Sequence, residues 1–292
     1  MLFFIRLFSF LPLPVLYVLA DYLLYPLLRY VLRYRLSIVR RNIAQSFPDK
    51  SPSEHQQIVS DFYHHFSSVI VEAIYGYRAS SEQMRQRVCF ENMEVLEDLA
   101  RKRHGVIAYL GHVCNWEWIA DVGNQFSDKR IVEYNVYRRL KSASADRAML
   151  ALRLKRGGEC VEKNMLLRRL VSLRHADHPF VVGFLADQKP SPRSTSLTTQ
   201  FLSQSTAFLT GGETLARKFG LGVVYVHVTT VKRGYYRIRF QVLADDVATL
   251  PEGQITLAYA SCLEQNIREC PHRWLWSHNR WKWSRAAIEN DK

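Results

Sequence analysis

The chain has 292 residues, 48% of them hydrophobic, and 40 Lys plus Arg against 27 Asp plus Glu give a formal net charge of +13. That much apolar material sustains one large core or a core plus a small annex, while the cationic excess points to an anionic partner, nucleic acid or a membrane surface. The five cysteines (Cys89, Cys114, Cys160, Cys262, Cys270) form no CxxC pair, which argues against a disulfide framework or a zinc knuckle and fits a reducing compartment.

The first element is the most biased. Residues 1 to 28 read MLFFIRLFSFLPLPVLYVLADYLLYPLL, and the fourteen uncharged residues between Arg6 and Asp21 fall short of the about 20 that a spanning helix needs. Reading on to Leu28 supplies the length at the cost of Asp21 and three prolines. Arg29, Arg33, Arg35, Arg40 and Arg41 follow directly; such a cluster marks the cytoplasmic side and attracts anionic headgroups. No A-x-A-like cleavage site follows, against a signal peptide. The expectation is an uncleaved anchor at residues 1–30, spanning the membrane or lying in its interface, and a cytoplasmic domain at 31–292. A buried amphipathic helix of a soluble protein is the competing reading.

Residues 52 to 78 keep apolar residues at helical spacing behind a Ser51-x-x-Glu54 cap and read as one helix or a pair. His64 and His65 are adjacent within it and do not share the i, i+4 face of a helical metal site. A helix at 92 to 103 leads into a strand at 105 to 110. RIVEYNVYR at 130 to 138 reads as a second strand, 141 to 156 and 164 to 176 as helices, and FVVGFLAD at 180 to 187 as a strand buried on both faces. The Pro/Ser/Thr-rich stretch 188 to 200 reads as a long loop. Gly211 and Gly212 open a helix that ends near Phe219, GVVYVHVTT and YYRIRFQVL form a hairpin, and a last helix from 254 to 269 stops at Pro271. This order predicts an α/β fold with a mixed β-sheet flanked by helices, preceded by an N-terminal membrane-anchoring apolar helix.

GHVCNWEW, residues 111 to 118, carries the chemistry. On one continuous helix His112 and Glu117 would lie roughly 140° apart and could not meet. Placed at a strand's C-terminal end and in the first turn of the next helix, they come together at the edge where open α/β sheets hold ligands. A histidine held by a carboxylate can take a proton from a hydroxyl attacking an acyl carbon. Cys114 offers a rival, a thiol nucleophile activated by His112. Near the C-terminus, Trp274, Trp276, Trp281 and Trp283 mix with Arg273, His278, Arg280, Lys282 and Arg285; this pattern suits a membrane-interface belt, a base-stacking surface, or a tryptophan core.

Several blocks recur in an order that one family shares: the apolar N-terminus, RRNIAQSFP at 40 to 48, HVCNWE, VYRRLK, ADQ at 186 to 188 and PHRWLWSHNRWK. On these blocks the chain resembles the lipid A biosynthesis acyltransferases, the lauroyl/myristoyl branch of the lysophospholipid acyltransferase superfamily, over nearly its whole length. The resemblance implies that residues 31–292 are an acyltransferase domain. It also implies transfer of a fatty acyl chain from an acyl-carrier-protein or coenzyme A thioester to a hydroxyl of a lipid A precursor or related glycolipid, at the cytoplasmic face of the inner membrane. Those thioesters are co-substrates; no metal or cofactor is implied. His112 matches the catalytic base, Glu117 its carboxylate partner, Arg138 an arginine near the substrate, and Asp187 the acidic residue of a DQ block. Arg138 would clamp a phosphate or neutralise an oxyanion, or be a plain surface charge. Asp187 would orient Arg138 or the headgroup, or cap its loop. Many members carry a glycine and a Phe-Phe-Gly turn after DQ where this chain reads TTQFLSQSTAFLTG, which leaves the acyl-chain or acceptor preference open. The alternative is a non-catalytic basic protein that binds lipid or nucleic acid; no nucleic-acid motif supports the latter half of it.

Overall fold

The computed structural model describes residues 2–139, 142–154, 157–191 and 194–282. In chain order the strands are β1 (Val88–Glu91), β2 (Gly105–Leu110), β3 (Val132–Tyr137), β4 (Glu159–Glu162), β5 (Phe180–Leu185), β6 (Ser196–Phe201), β7 (Gln204–Leu209), β8 (Gly222–Lys232) and β9 (Tyr235–Ala244). Seven of them form one sheet in the order β1-β9-β8-β2-β5-β3-β4. All its pairings are parallel except β8 with β9, the expected hairpin, so the sheet is mixed. β2 lies near its middle with all six residues buried, which is why GVIAYL is a continuous apolar run rather than an alternating one. β1 and β4 were not expected; each is four residues long and adds an outer strand.

The remaining pair, β6 and β7, is an antiparallel hairpin separate from the main sheet, where a loop was expected. Its turn residues Leu202 and Ser203 both adopt left-handed backbone, φ 50° and 59°. The Asn-Gly or Asp-Gly signature that normally announces such a turn is absent, so the pattern hid it. The helix Gln254–Glu269, Trp274 and Trp281 pack against this hairpin.

The helices begin with α1 (Leu2–Phe8), α2 (Leu13–Leu19), α3 (Leu36–Ser46) and α4 (Pro52–Gly76). α4 is one continuous helix opened by the predicted capping box: Glu54 N–H donates to Ser51 Oγ, and Ser51 N–H donates to the Glu54 carboxylate at 2.8 Å. After the one-turn α5 (Ser81–Arg85) come α6 (Met93–Arg103), α7 (Ala143–Leu154), α8 (Leu166–Leu173), α9 (Gly211–Phe219) and α10 (Gln254–Glu269). β2 divides the core by parity. Tyr109 stacks on Tyr259 of α10 at 4.8 Å, while Ala108 and Leu110 face the opposite side with Leu96 of α6 and Ile119.

The N-terminus differs from the single apolar helix expected. Among the described residues no helix is long and apolar enough to cross a membrane. α2 loosens into wider π-helical turns at Ala20–Leu24 and Leu27–Val31, then bends by 86° into α3. The bend is taken up at Arg33 and Arg35, both left-handed (φ 46° and 53°). Leu13, Leu16 and Ala20 are buried in the common core. Tyr17 donates to Glu72 Oε1 at 2.8 Å, and Arg233 grips Asp21 with two bonds of 2.7 Å. The opposite side of the same segment exposes Phe10, Val18, Tyr22, Leu23, Val31 and Leu32.

Candidate active site

β2 and β5 run parallel with Leu110 level with Leu185, so the chain leaves both strands at the same height. Two residues on, this places His112 and Asp187 side by side. Asp187 accepts the His112 backbone N–H at 2.8 Å with Oδ2 and the ring Nδ1–H at 2.6 Å with Oδ1. Trp274 Nε1–H donates to Oδ2 at 2.8 Å. Burial alone would raise the Asp187 carboxyl, but its attraction to His112 and these three donors hold it below the usual range. An ionised carboxylate only accepts, so Nδ1 carries a proton and Nε2 is the nitrogen that can take up or release one. The side-chain amide of Gln188 reaches that Nε2 at 3.3 Å.

Glu117 does not hold the imidazole. It occupies the first turn of the 3₁₀ helix Trp116–Asn124 as predicted, but its carboxylate takes a fork from Arg153 of α7, Nε at 3.1 Å and Nη2 at 2.8 Å. Burial opposes the charge of Arg153, and the Glu117 bonds outweigh it. The correction is geometric: a helical first turn points its side chains across the strand ends toward α7, whereas Asp187 arrives on a neighbouring strand in register. Asp187 therefore neither orients Arg138 nor merely caps its loop. Arg138, exposed just beyond β3, lines the same cleft as His112.

The loop between His112 and Glu117 is rigidly tethered. Val113 bridges Trp274, Cys114 N–H donates to Arg273 O at 2.9 Å, and Asn115 donates to Glu72 Oε2 at 2.7 Å. Tyr236 and Tyr17 also donate to Glu72. Cys114 sits at φ 55°, a conformation costly for a non-glycine residue. Its thiol is 1% exposed and burial pushes it up to about 11, which removes the thiol-nucleophile reading.

Two spaces meet at this loop. The outer cleft encloses about 610 Å³, in the range of ligand sites, and includes His112, Arg138, Arg153, Lys163, Gln188 and Lys189. A narrow inner pocket runs beneath the 3₁₀ helix along the sheet face, walled largely by apolar side chains. Val136, Arg153 and Leu185 border both. The expected aromatic-basic belt is instead core: Trp274, Trp276 and Trp281 are 2%, 0% and 1% exposed. Trp283 and Arg285 lie outside the described residues. Sequence reasoning missed Arg153, Trp274 as the donor to Asp187, and Glu72; only Trp274 lay inside a block already singled out.

The family model for bacterial lipid A biosynthesis acyltransferases matches residues 1–283. The chain is also 22% identical over 253 residues, 86% of its length and 80% of the relative's, to the lipid A biosynthesis palmitoleoyltransferase of Escherichia coli (strain K12). It is similar to the same extent to the lipid A biosynthesis acyltransferase of Shigella flexneri.

Proposed function

The chain belongs to the bacterial lipid A biosynthesis acyltransferases and is an enzyme, and from that membership we propose that it moves a fatty acyl chain from an acyl-carrier-protein or coenzyme A thioester to a hydroxyl of a lipid A precursor or related glycolipid. The observation that carries this reading is the His112–Asp187 pair at the head of a cleft that shares Val136, Arg153 and Leu185 with an apolar pocket. The acyl chain enters the inner pocket and its thioester carbonyl stays in the cleft. His112 Nε2 takes the acceptor's proton as the oxygen attacks, Asp187 stabilises the imidazolium, and the tetrahedral oxyanion collapses with loss of the thiolate, which recovers the proton. The product is an ester and a free thiol. Arg138, at the cleft rim, pairs with a phosphate of donor or acceptor. Membership in the family sets aside the non-catalytic alternative.

The exposed apolar side of residues 10 to 32 and the arginines behind it support attachment in the plane of an anionic membrane, at the cytoplasmic face of the inner membrane, rather than a span. A thioester-dependent acylation assay on His112→Ala and Asp187→Asn tests the chemistry. Near-wild-type turnover in both sinks it.

A further inference from the structure

A further cavity of about 560 Å³ lies between the N-terminal segment, α4, the β8–β9 turn and the residues His272 and Arg273; its size suits a small ligand. Two of its wall residues, Glu72 and Arg273, tether the histidine loop through Asn115 and Cys114. Most of its charged groups are already answered. Arg233 and Asp21 hold each other with two bonds of 2.7 Å, and the Glu72 carboxyl accepts from Tyr17, Asn115 and Tyr236. Two are not. Arg273, half-buried, donates through Nε to Cys270 Sγ at 3.0 Å and through Nη1 to Thr230 Oγ1. Among the described residues its Nη2 makes no hydrogen bond and its guanidinium pairs with no carboxylate. Asp61 of α4 accepts the Gln57 amide at 2.8 Å and meets no lysine or arginine among those residues. His272 is close enough to feel both charges, which act on its proton affinity in opposite directions. The cavity opens beside Tyr22, a wall residue 82% exposed on the outer, apolar side of the N-terminal segment.

We propose that this cavity binds the headgroup of a membrane phospholipid of the phosphoethanolamine class, with Arg273 on the phosphodiester and Asp61 on the ammonium. The inference rests on the reading of the outer N-terminal side as the membrane-attached one. The argument is a count of charges. One cation and one anion in the wall lack an ionic partner, and a phosphodiester joined to an ammonium by two carbons brings one of each. A guanidinium with a free Nη2 suits phosphate oxygens in a fork. A dianionic phosphate monoester would put surplus negative charge beside Asp61, and an anionic headgroup without an amine would leave Asp61 unanswered. His64, His65 and His272 add no charge: an ordinary imidazole is mostly neutral at pH 7, and burial lowers all three further. Attachment through apolar side chains and arginines alone does not choose between headgroups; this cavity supplies the choice.

The test uses the full chain and lipids short enough to stay monomeric, so that no bilayer is needed. Dihexanoyl phosphatidylethanolamine, dihexanoyl phosphatidylglycerol and the chainless glycerophosphoethanolamine are each titrated by calorimetry. Wild type is expected to bind the ethanolamine lipid about tenfold more tightly than the glycerol lipid, the worth of one charged contact. Asp61→Asn should abolish that preference while keeping the glycerol lipid, and Arg273→Gln should weaken both lipids about tenfold. Arg273 also ties Thr230 and Cys270, so its variant is read beside its Tm; Asp61→Asn, at a half-buried position on α4, decides the question by itself if the other does not fold. Equal affinity of wild type for the two lipids overturns the proposal, as does a preference that Asp61→Asn leaves untouched. Glycerophosphoethanolamine binding as tightly as the lipid would assign the site to a soluble ester and overturn the membrane part. Vesicle sedimentation of Val18→Glu with Leu23→Glu reports on attachment separately. If it stays as in wild type while the monomeric lipids are still told apart, the attachment reading fails and the headgroup site stands.

Discussion

His112 Nδ1–H donates to Asp187 Oδ1 at 2.6 Å across 75 residues of sequence. The carboxylate five residues away, Glu117, is committed to Arg153 instead. The proposed catalytic pair is thus assembled by strand register and not by a local motif.

Removing the base or its holder should give similar, non-additive losses. His112→Ala is expected to lose about 10²–10⁴ in rate. Asp187→Asn should lose most of the activity too, and the double variant little more than His112→Ala alone. Cys114→Ser should turn over normally. Additive losses in the purified variants would show that the two side chains do not act together.

Glu117→Gln breaks an ion pair whose partners have side chains only 17% and 20% exposed. Losing a charged hydrogen bond there should cost about 2 kcal/mol of stability. A double-mutant cycle with Arg153→Ala, read by urea denaturation, measures the coupling. Activity should fall less than in Asp187→Asn; a loss as deep, in a folded variant, would return Glu117 to the proton transfer.

The buried Glu133 makes stability depend on pH. Its folded-state pKa is raised, so the native chain keeps a proton that the unfolded chain releases above about 4.3. Its contribution is fully present below that pH and is lost as pH rises toward the folded value. Glu133→Gln should therefore gain stability over wild type progressively as pH rises above about 4.3, in denaturant titrations at matched ionic strength. A difference that is flat with pH would mean the carboxyl is ionised in the fold.

Membrane attachment should depend on the outer side of the N-terminal segment. Deleting residues 1 to 28 would remove Leu13, Leu16 and Ala20 from the core and is expected to unfold the protein or lower its Tm. Val18→Glu with Leu23→Glu should leave Tm nearly unchanged, because both side chains are more than half exposed, and should weaken sedimentation with anionic vesicles. Unaltered vesicle binding in that variant would place the membrane contact elsewhere.

What was legible in the sequence were the elements whose signals are local. Ser51 and Glu54 announced a helix start, GVIAYL a strand buried on both faces, and the turn between β8 and β9 a hairpin. His112 was legible because it ends an apolar run. Its partner was not: proximity in sequence favoured Glu117, and only the parallel pairing of β2 with β5 brings Asp187 alongside. The tryptophans misled for a related reason. Aromatic and basic residues interleaved along a chain look alike whether they meet lipid or fold inward, and the indole donations from Trp274 to Asp187 and from Trp281 to Thr206 decide that they fold inward. Glu72 carried no signal at all, since a buried carboxylate within a helix is recognised only by the tyrosines and asparagine that reach it.

The indole of Trp274 completes the Asp187 site from 87 residues further along the chain, and the same segment bridges Val113. On the ribosome, at about 5–20 residues per second, that interval lasts roughly ten seconds. Through it the nascent chain already carries its greasy leading segment but has neither the donor to Asp187 nor the clasp on the histidine loop. On the proposed reading, attachment through that segment would precede competence, and a thioester donor would meet a finished enzyme only where the acceptor resides.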